Sequence, residues 1–269
     1  MRIYIPSRGR ADLKKQSTYM ALPASLKRET LLVVPAQEHA AYASLGLPAI
    51  SPNTSVTGIG PTREWIVKMH SAYRTDPRFC MLDDDLAFGR RRIDSPAHFR
   101  EMGPNDFRTL FLNIEKQLTR YAHVTVCARE GGNRLADSAT VEENMRPLRV
   151  LAYDADVLIR EDVHFDEVEL MEDFHAALSL MRKGYANALL TAWCQGQRQS
   201  NEAGGCSTYR TLKTQARAAR ELARIHAPHV RLTTKTTKHA WGGGERVDVV
   251  VSWKKAYAEG VARYGARRP

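Results

Sequence analysis

The stretch Phe79-Cys80-Met81-Leu82-Asp83-Asp84-Asp85 decides the fold class of this chain. Four apolar residues in a row are typical of a strand that is buried on both faces of a sheet. Three adjacent carboxylates repel one another, so their place directly after a buried strand requires a compensating charge. Mg²⁺ or Mn²⁺ would supply it, because these cations prefer carboxylate oxygens and keep coordination positions open for phosphate. The triplet is therefore a candidate metal site at the ligand-binding edge of an α/β sheet; a solvated acidic turn is the alternative.

Short apolar runs and amphipathic segments alternate along the first two thirds of the chain. The amphipathic pattern predicts a helix over residues 62–73 and a second over residues 107–118 that is opened by Pro104-Asn105. It predicts a third that begins at residue 172 and ends at Gly184. Strands that alternate with helices predict one compact α/β domain, whose mostly parallel sheet is flanked by helices. Besides residues 79–82, the strand-like segments are residues 3–5, 31–34, 124–126, 150–153 and 188–193.

The composition excludes several classes of protein. No apolar run approaches the ~20 residues that a membrane-spanning helix needs. Met1 leads directly into a strand-like segment without the apolar stretch of a signal peptide, so a cytoplasmic location is expected. The cysteines have no close pair, which argues against a disulfide framework or a structural zinc site built on them. They are Cys80, Cys127, Cys194 and Cys206. The sequence gives no signal for the oligomeric state.

The net charge of +10 is concentrated at one end of the chain. Residues 210–269 contain 14 Lys and Arg against 4 Asp and Glu, whereas residues 1–209 are neutral overall. We therefore expect a core of residues 1–209 and a basic segment of residues 210–269 that completes the fold and contacts a polyanion. Five cations of the predicted helix in this segment share one narrow face; a solvated face without a partner is the alternative. They are Arg210, Lys213, Arg217, Arg220 and Arg224.

The turn after the first strand reads Pro6-Ser7-Arg8-Gly9-Arg10 and has the composition of an anion-binding segment. Its two arginines are candidates to contact a nucleotide diphosphate. Ser7 and Gly9 would let the backbone approach that diphosphate closely. A plain turn at the end of a strand is the alternative interpretation.

A second candidate anion site is Gly58-Ile59-Gly60-Pro61-Thr62-Arg63, which leads into a predicted helix. Glycines before a helix leave free N–H groups at the positive end of the helix dipole, where anions bind. Thr62 is a candidate helix cap and Arg63 adds positive charge. The spacing matches neither the dinucleotide-binding nor the Walker fingerprint.

Two features of the later chain are candidates for catalysis and metal binding. Glu172-Asp173 opens a predicted helix, where acidic residues are favoured in any case, but where a general base is equally plausible. His239 lies between two lysines and a glycine run, and its imidazole is a candidate metal ligand that competes with His226 and His229. The segment around His239 has the composition of a mobile loop that closes over a phosphate-bearing ligand.

Taken in order, these segments resemble the GT-A glycosyltransferases. That family has a nucleotide-binding strand and turn, a D-x-D motif after a central strand, an acidic pair at the start of a later helix, and a C-terminal metal-binding histidine. The corresponding positions here are Pro6 to Arg10, Asp83 to Asp85, Glu172-Asp173 and His239. The glycine pair that the family often carries just before the acidic pair is absent, since Gly131-Gly132 lies further upstream.

More narrowly, four segments are similar to the phage TET-associated glycosyltransferases, which add a sugar to 5-hydroxymethylcytosine in DNA. The segments are residues 5–11, residues 60–63, the Asp triplet, and Val251-Ser252-Trp253-Lys254-Lys255. The resemblance implies a nucleotide-sugar donor, with a UDP-sugar expected, together with Mn²⁺ or Mg²⁺ and a DNA acceptor. The basic C-terminal helix fits such an acceptor, because a duplex needs phosphate contacts and the target base has to be flipped out.

The resemblance also implies a role for each candidate residue. Asp85 would be the main metal ligand, Asp83 would hold the ribose or the metal, and Glu172 or Asp173 would be the base. Pro6, Ser7, Arg8, Arg10, Arg63 and Asp84 would serve the donor nucleotide, and His239 the metal. The acceptor DNA would be contacted by Arg210, Lys213, Arg217, Arg220, Arg224, Lys254 and Lys255.

Three other functions fit part of the pattern. A glycosyltransferase with a small-molecule, polysaccharide or protein acceptor would share every donor-site feature and would not bind DNA. A nucleotidyltransferase on a similar sheet would release pyrophosphate instead of a nucleoside diphosphate. A non-catalytic nucleic-acid-binding protein would explain the C-terminal charge, but it would leave the Asp triplet without a role.

Overall fold

The centre of the fold is a ten-stranded sheet, seen in a computed structural model that describes residues 1–129, 140–197, 210–237 and 244–269. Its strands are β1 Arg2–Pro6, β2 Thr30–Val33, β3 Ala49–Ile50, β4 Arg78–Leu82, β5 Leu86–Arg91, β6 Phe99–Glu101, β7 His123–Ala128, β8 Val141–Glu143, β9 Val150–Asp154 and β10 Asn187–Gln197. They lie in the order β3-β2-β1-β4-β9-β7-β10-β5-β6, and β8 pairs with β10.

Most strands of this sheet run in the same direction. β3, β2, β1 and β4 are parallel neighbours, and β7 and β10 form a further parallel pair. β9 is antiparallel to both β4 and β7, while β5 and β8 are antiparallel to β10 and β6 is antiparallel to β5. Among the ten described strands, seven therefore share one direction. This confirms the predicted α/β class with a mostly parallel sheet.

Helices cover both faces of the sheet. The helices within the described residues are α1 Ser17–Ala21, α2 Ala24–Lys27, α3 His39–Ala43, α4 Ile59–Tyr73, α5 Pro104–Gln117, α6 Ala155–Arg160, α7 Glu172–Met181, α8 Leu212–Ile225 and α9 Trp253–Tyr264. Side chains of β1 alternate, so Ile3 and Ile5 pack on the face covered by α5, and Tyr4 packs on the face covered by α4, α6 and α7.

The three predicted helices of the core are confirmed with small shifts at their ends. α4 begins at Ile59, three residues before the predicted start, whereas α5 begins with Pro104, as predicted. α7 begins at Glu172, as predicted, and ends at Met181. Among the described residues, no helix combines the length and the apolar character needed to cross a bilayer.

The basic C-terminal segment forms α8, the hairpin of β11 Val230–Thr237 and β12 Gly244–Val251, and α9. Ala219 and Leu222 of α8 pack in one buried cluster with Leu178 and Met181 of α7. α9 approaches the end of α7 so closely that a side chain at Gly260 would collide with the carbonyl of Met181. The basic segment therefore shares a hydrophobic core with the helix that begins with the acidic pair. The division between residues 1–209 and 210–269 stays a prediction.

Candidate active site

The Asp triplet forms the turn between β4 and β5, and its backbone is held from two sides. The Thr18 hydroxyl donates to the carbonyl of Asp83 at 2.6 Å and accepts from the N–H of Leu86 at 2.8 Å. The N–H of Asp83 donates to the carbonyl of Arg149 at 3.0 Å. Because β1 and β4 are parallel neighbours, this turn lies beside the turn that follows β1.

The three carboxylates of the triplet have different surroundings. Asp84 is only 5% exposed, and it forms an ion pair with Arg10 and accepts a 2.5 Å hydrogen bond from the Ser7 hydroxyl. Asp85 lies 3.1 Å from Arg10 and 3.3 Å from the side-chain amide of Gln197. Asp84 thus ties the triplet to the β1 turn, whereas Asp85 lies nearer the surface, with 13% of its side chain exposed.

Asp83 is the most exposed member, at 29% of its side chain, and it contacts the buried Arg63 of α4 at 2.9 Å. The other terminal nitrogen of Arg63 lies 2.7 Å from Glu172. One guanidinium therefore connects the triplet to the first residue of α7. α4 can approach this region because Gly60 has no side chain; a Cβ there would press against the carbonyl of Phe165. The predicted contact of Arg63 with a donor nucleotide stays a prediction, since both of its terminal nitrogens face carboxylates.

The turn after β1 is also rigidly held. The Tyr42 hydroxyl bonds the Ser7 hydroxyl at 2.9 Å and accepts from the N–H of Arg10 at 3.1 Å. The Gln16 amide donates to the Ser7 hydroxyl and to the carbonyl of Arg10, at 2.8 and 2.9 Å. Ser7 and Arg10 are buried by these contacts, whereas Arg8 is exposed. The two arginines that the sequence presents as equivalent thus have different surroundings.

A cleft with an empty volume of about 680 Å³ opens beside this turn. Pro6, Ser7 and Arg8 form one wall, and the start of α4, including Gly58 and Thr62, forms another. The cleft lies at the carboxyl ends of the parallel strands β1 and β2, which is where α/β sheets bind ligands. Three of the residues predicted to serve a nucleotide therefore line the same cavity.

Glu172 and Asp173 differ in their suitability as a base. Glu172 is buried in its ion pair with Arg63, whereas Asp173 is half-buried and accepts only the N–H of Phe174 in the contacts described, at 2.9 Å. Burial and the charge of Glu172 raise the pKa of Asp173 to about 7, against the opposing effect of Arg63. A carboxylate with a pKa near neutrality is suited to take a proton from a hydroxyl. The geometry therefore favours Asp173 over Glu172.

Negative charge is in excess around the triplet. Burial raises the pKa of Asp83 to about 6 and that of Asp84 to about 7, although Arg63 and Arg10 respectively act in the opposite direction. The charge of Asp85 raises both values further. A divalent cation against Asp83 and Asp85 would relieve this repulsion, so the residues present fit such an ion. The third predicted metal ligand, His239, lies outside the described residues.

The raised pKa of Asp173 predicts a pH-dependent effect on stability. Between the ordinary value of 3.8 and the raised value of about 7, the folded protein holds a proton that the unfolded chain has released. The free energy of unfolding that Asp173 contributes is therefore lost as pH rises through that window. In EDTA, the melting temperature of Asp173→Asn minus that of wild type should increase as the pH is raised from about 5 to about 8. A difference that does not change with pH would contradict the assignment.

The predicted acceptor cations lie on the surface of the C-terminal segment. Lys213 and Arg220 are exposed on α8. Arg217 is ion-paired with Glu169, and Arg224 lies 2.7 Å from Glu221. The others are Arg210, which is half-buried before α8, and Lys254 and Lys255, which are exposed in the first turn of α9. Contact of these seven residues with DNA stays a prediction.

Sequence reasoning missed several residues at the site. Thr18, Gln16 and Gln197 are neutral polar residues outside the motifs, and nothing in their local sequence marks them. Arg149 has a positive φ of 60° and its charge lowers the pKa of Asp83. Arg146 is exposed and lies 4.8 Å above the ring of Phe174, next to Asp173. The positive charge of these two arginines was the one feature of the sequence that could have marked them as site residues.

Comparison with known proteins places the chain in a family. A family model described as TET-Associated Glycosyltransferase matches residues 1–205. The Beta-glucosyl-HMC-alpha-glucosyl-transferase of Enterobacteria phage T2 is 26% identical over 219 residues, which is 78% of this chain and 76% of the relative. The protein of the same name from Enterobacteria phage T6 is 26% identical over 198 residues, which is 71% of this chain and 69% of the relative.

Among solved structures, GalNAc-T7 with UDP, GalNAc and Mn²⁺ matches with a TM-score of 0.50 and 11% sequence identity. The match covers 83% of this chain, which spans about half (48%) of the GalNAc-T7 chain. At this identity the likeness concerns the fold alone, and the fold is of the GT-A type. Because the family model covers more than half of its length, this chain belongs to the TET-associated glycosyltransferases and is a glycosyltransferase.

Proposed function

We propose that this protein moves a sugar from a nucleotide-sugar, with a UDP-sugar as the first candidate, to the hydroxymethyl oxygen of 5-hydroxymethylcytosine in DNA. The observation that carries the proposal is the position of Arg63, which contacts Asp83 of the triplet at 2.9 Å and Glu172 of the acidic pair at 2.7 Å. One guanidinium brings the candidate donor side and the candidate acceptor side together. The phage relatives, whose name includes HMC, support a modified-DNA acceptor.

On the donor side, the cleft beside Pro6, Ser7 and Arg8 would hold the nucleotide. Asp83 and Asp85 would hold Mn²⁺ or Mg²⁺, which would stabilise negative charge on the departing nucleoside diphosphate. The neighbour GalNAc-T7 contains UDP and Mn²⁺, which supports this choice of donor and metal. Asp84, which is buried, would keep the β1 turn and the triplet together.

On the acceptor side, Asp173 would accept the proton of the hydroxymethyl group as its oxygen bonds to the anomeric carbon of the sugar. The bond from that carbon to the diphosphate breaks in the same exchange, and the nucleoside diphosphate leaves with the electron pair. Arg63 would hold Glu172, and with it the start of α7, in place through their ion pair. Arg146, above Phe174, would contact a phosphate of an acceptor whose base is flipped out.

Analysis of the leaving group tests the reaction class. We expect the protein to release a nucleoside diphosphate from a nucleotide-sugar when hydroxymethylated DNA and Mn²⁺ are present, as measured by chromatography. Release of pyrophosphate from a nucleoside triphosphate would instead support a nucleotidyltransferase.

The basic surface predicts a salt-dependent affinity for DNA. Replacing Lys213 and Arg220 together by glutamine should weaken duplex binding and reduce the slope of log affinity against log salt by about two. Fluorescence anisotropy across a salt series measures both quantities. Arg92→Gln is the matched control, because Arg92 is exposed and pairs locally with Asp94. If neither wild type nor the double variant shows a salt slope, the acceptor is not DNA and a small-molecule, polysaccharide or protein acceptor is favoured.

A second acceptor is 5-hydroxymethylcytosine that already carries glucose. The name of both phage relatives, Beta-glucosyl-HMC-alpha-glucosyl-transferase, favours this candidate. Parallel reactions with hydroxymethylated and with glucosylated DNA separate the two acceptors by which one gains a sugar. With either acceptor, the reaction would take place in the cytoplasm of an infected bacterium, a setting that the phage origin of the relatives supports.

A further inference from the structure

A second group of potential metal ligands lies between α4 and the loop that precedes α7. Glu64, the residue after Arg63, and the loop residues His164 and Asp166 each offer one ligand atom, and these atoms lie within 4.8 Å of one another. Glu64 is buried, His164 is half-buried and Asp166 is exposed, so the group forms a site that is open on one side. Neither the donor cleft nor the Asp triplet uses these three residues.

The atoms that would not bind a metal are already held by neighbours. The Nε2 atom of His164 bonds the Asp162 carboxylate at 2.8 Å, which leaves Nδ1 directed at Oε1 of Glu64, 2.9 Å away. The second oxygen of Glu64 accepts the N–H of Phe165 at 3.0 Å. A carboxylate behind a histidine and a hydrogen bond to the spare oxygen of a ligating carboxylate are the outer contacts that metal sites use to orient their ligands.

The same geometry would also suit a protonated His164 between two carboxylates. Its hydrogen bonds to Glu64 and Asp162 raise the pKa of His164. Lys68, 3.1 Å from Oε1 of Glu64, adds positive charge, but its side chain is 65% exposed and would be displaced easily. The ion-pair alternative gives Asp166 no role, since no hydrogen bond or ion pair is described for it, whereas a metal would engage all three residues.

We propose that Oε1 of Glu64, Nδ1 of His164 and a carboxylate oxygen of Asp166 bind a zinc ion, with water in the fourth position. The imidazole nitrogen suits Zn²⁺, whereas Mg²⁺ prefers oxygen ligands alone. The ion would join α4 to the loop that leads into α7, and so would stabilise the packing between Arg63 and the acidic pair. This inference is independent of the acceptor and of the donor metal.

The test is calorimetric titration of Zn²⁺ into EDTA-treated, dialysed protein. We expect a site that is retained in Asp85→Asn and Glu167→Gln, and weakened at least about tenfold in His164→Gln and in Asp166→Asn. Asp166→Asn is the sharper variant, because the exposed side chain can change without disturbing folding. Zn²⁺ should also raise the melting temperature of wild type and leave that of Asp166→Asn nearly unchanged.

The variants separate this site from the donor metal. Zn²⁺ binding that is lost only in Asp85→Asn would overturn the proposal, because the ion would then belong to the triplet. Equal affinity in wild type and His164→Gln, or no binding to wild type, would overturn it as well. Failure to glycosylate DNA would refute the proposed function and leave this titration unaffected.

Discussion

Replacing Asp85 by alanine is expected to lower the rate of sugar transfer by roughly a thousandfold, a loss of about 4 kcal/mol of transition-state stabilisation. The change would leave Asp83 as the main carboxylate for the metal that offsets charge on the leaving diphosphate. It would also remove the partner of the Gln197 amide, 3.3 Å away. Initial rates across a Mn²⁺ series should show that excess metal restores only part of the activity.

The matched control for this prediction lies at the opposite end of the same strand. Asp76 precedes β4, pairs with Arg78 at 2.9 Å and should tolerate alanine at the cost of one surface ion pair, about 0–1 kcal/mol of stability. We expect its transfer rate to match wild type. Full transfer by Asp85→Ala, or by wild type in excess EDTA, would show that the reaction does not need the triplet's metal.

The second large effect is expected at Asp173. Asparagine keeps its size and its bond to the N–H of Phe174 but cannot take a proton, so kcat should fall by roughly a hundredfold to ten-thousandfold. KM for the nucleotide-sugar should stay close to wild type, because Asp173 does not line the donor cleft. The wild-type rate should rise through about pH 7, where the raised pKa of Asp173 lies, and this rise should be absent from the residual rate of the variant.

Glu172→Gln provides the contrast for the second prediction. Glu172 is buried against Arg63, so its change would leave a buried guanidinium short of one partner and should lower stability as well as rate. If Asp173→Asn retained the wild-type rate while Glu172→Gln lost it, Glu172 would be the base. The two variants therefore decide between the members of the pair.

The strand and the charged turn of the candidate donor side could be predicted from sequence because their signals are local. An apolar strand that runs into three carboxylates predicts a buried strand and a charged turn at its end, and the structure has β4 and the triplet there. The roles within each motif were less accessible. Arg8 and Arg10 appear alike in sequence, but only the fold directs Arg10 to Asp84 and leaves Arg8 at the cleft.

Contacts between distant segments could not be predicted. Arg63 was assigned to an anion by its place near a helix start, whereas its partners are carboxylates from β4 and α7. Glu64 and His164 are 100 residues apart, and each alone is an ordinary surface-type residue. Such pairs depend on how α4 crosses the sheet and on the Gly60 contact that lets the later loop approach. Periodicity and composition carry no information about the path of α4 or about the Gly60 contact.

The measurement that tests the central claim most directly is mass spectrometry of nucleosides from hydroxymethylated DNA. The DNA would be incubated with the protein, Mn²⁺ and a panel of nucleotide-sugars, and then digested. We predict that 5-hydroxymethyl-2′-deoxycytidine gains the mass of one sugar with at least one donor when the wild-type protein is used, and not when Asp85→Ala is used. Unmodified nucleosides with every donor, in a preparation that binds the same DNA, would contradict the proposed acceptor.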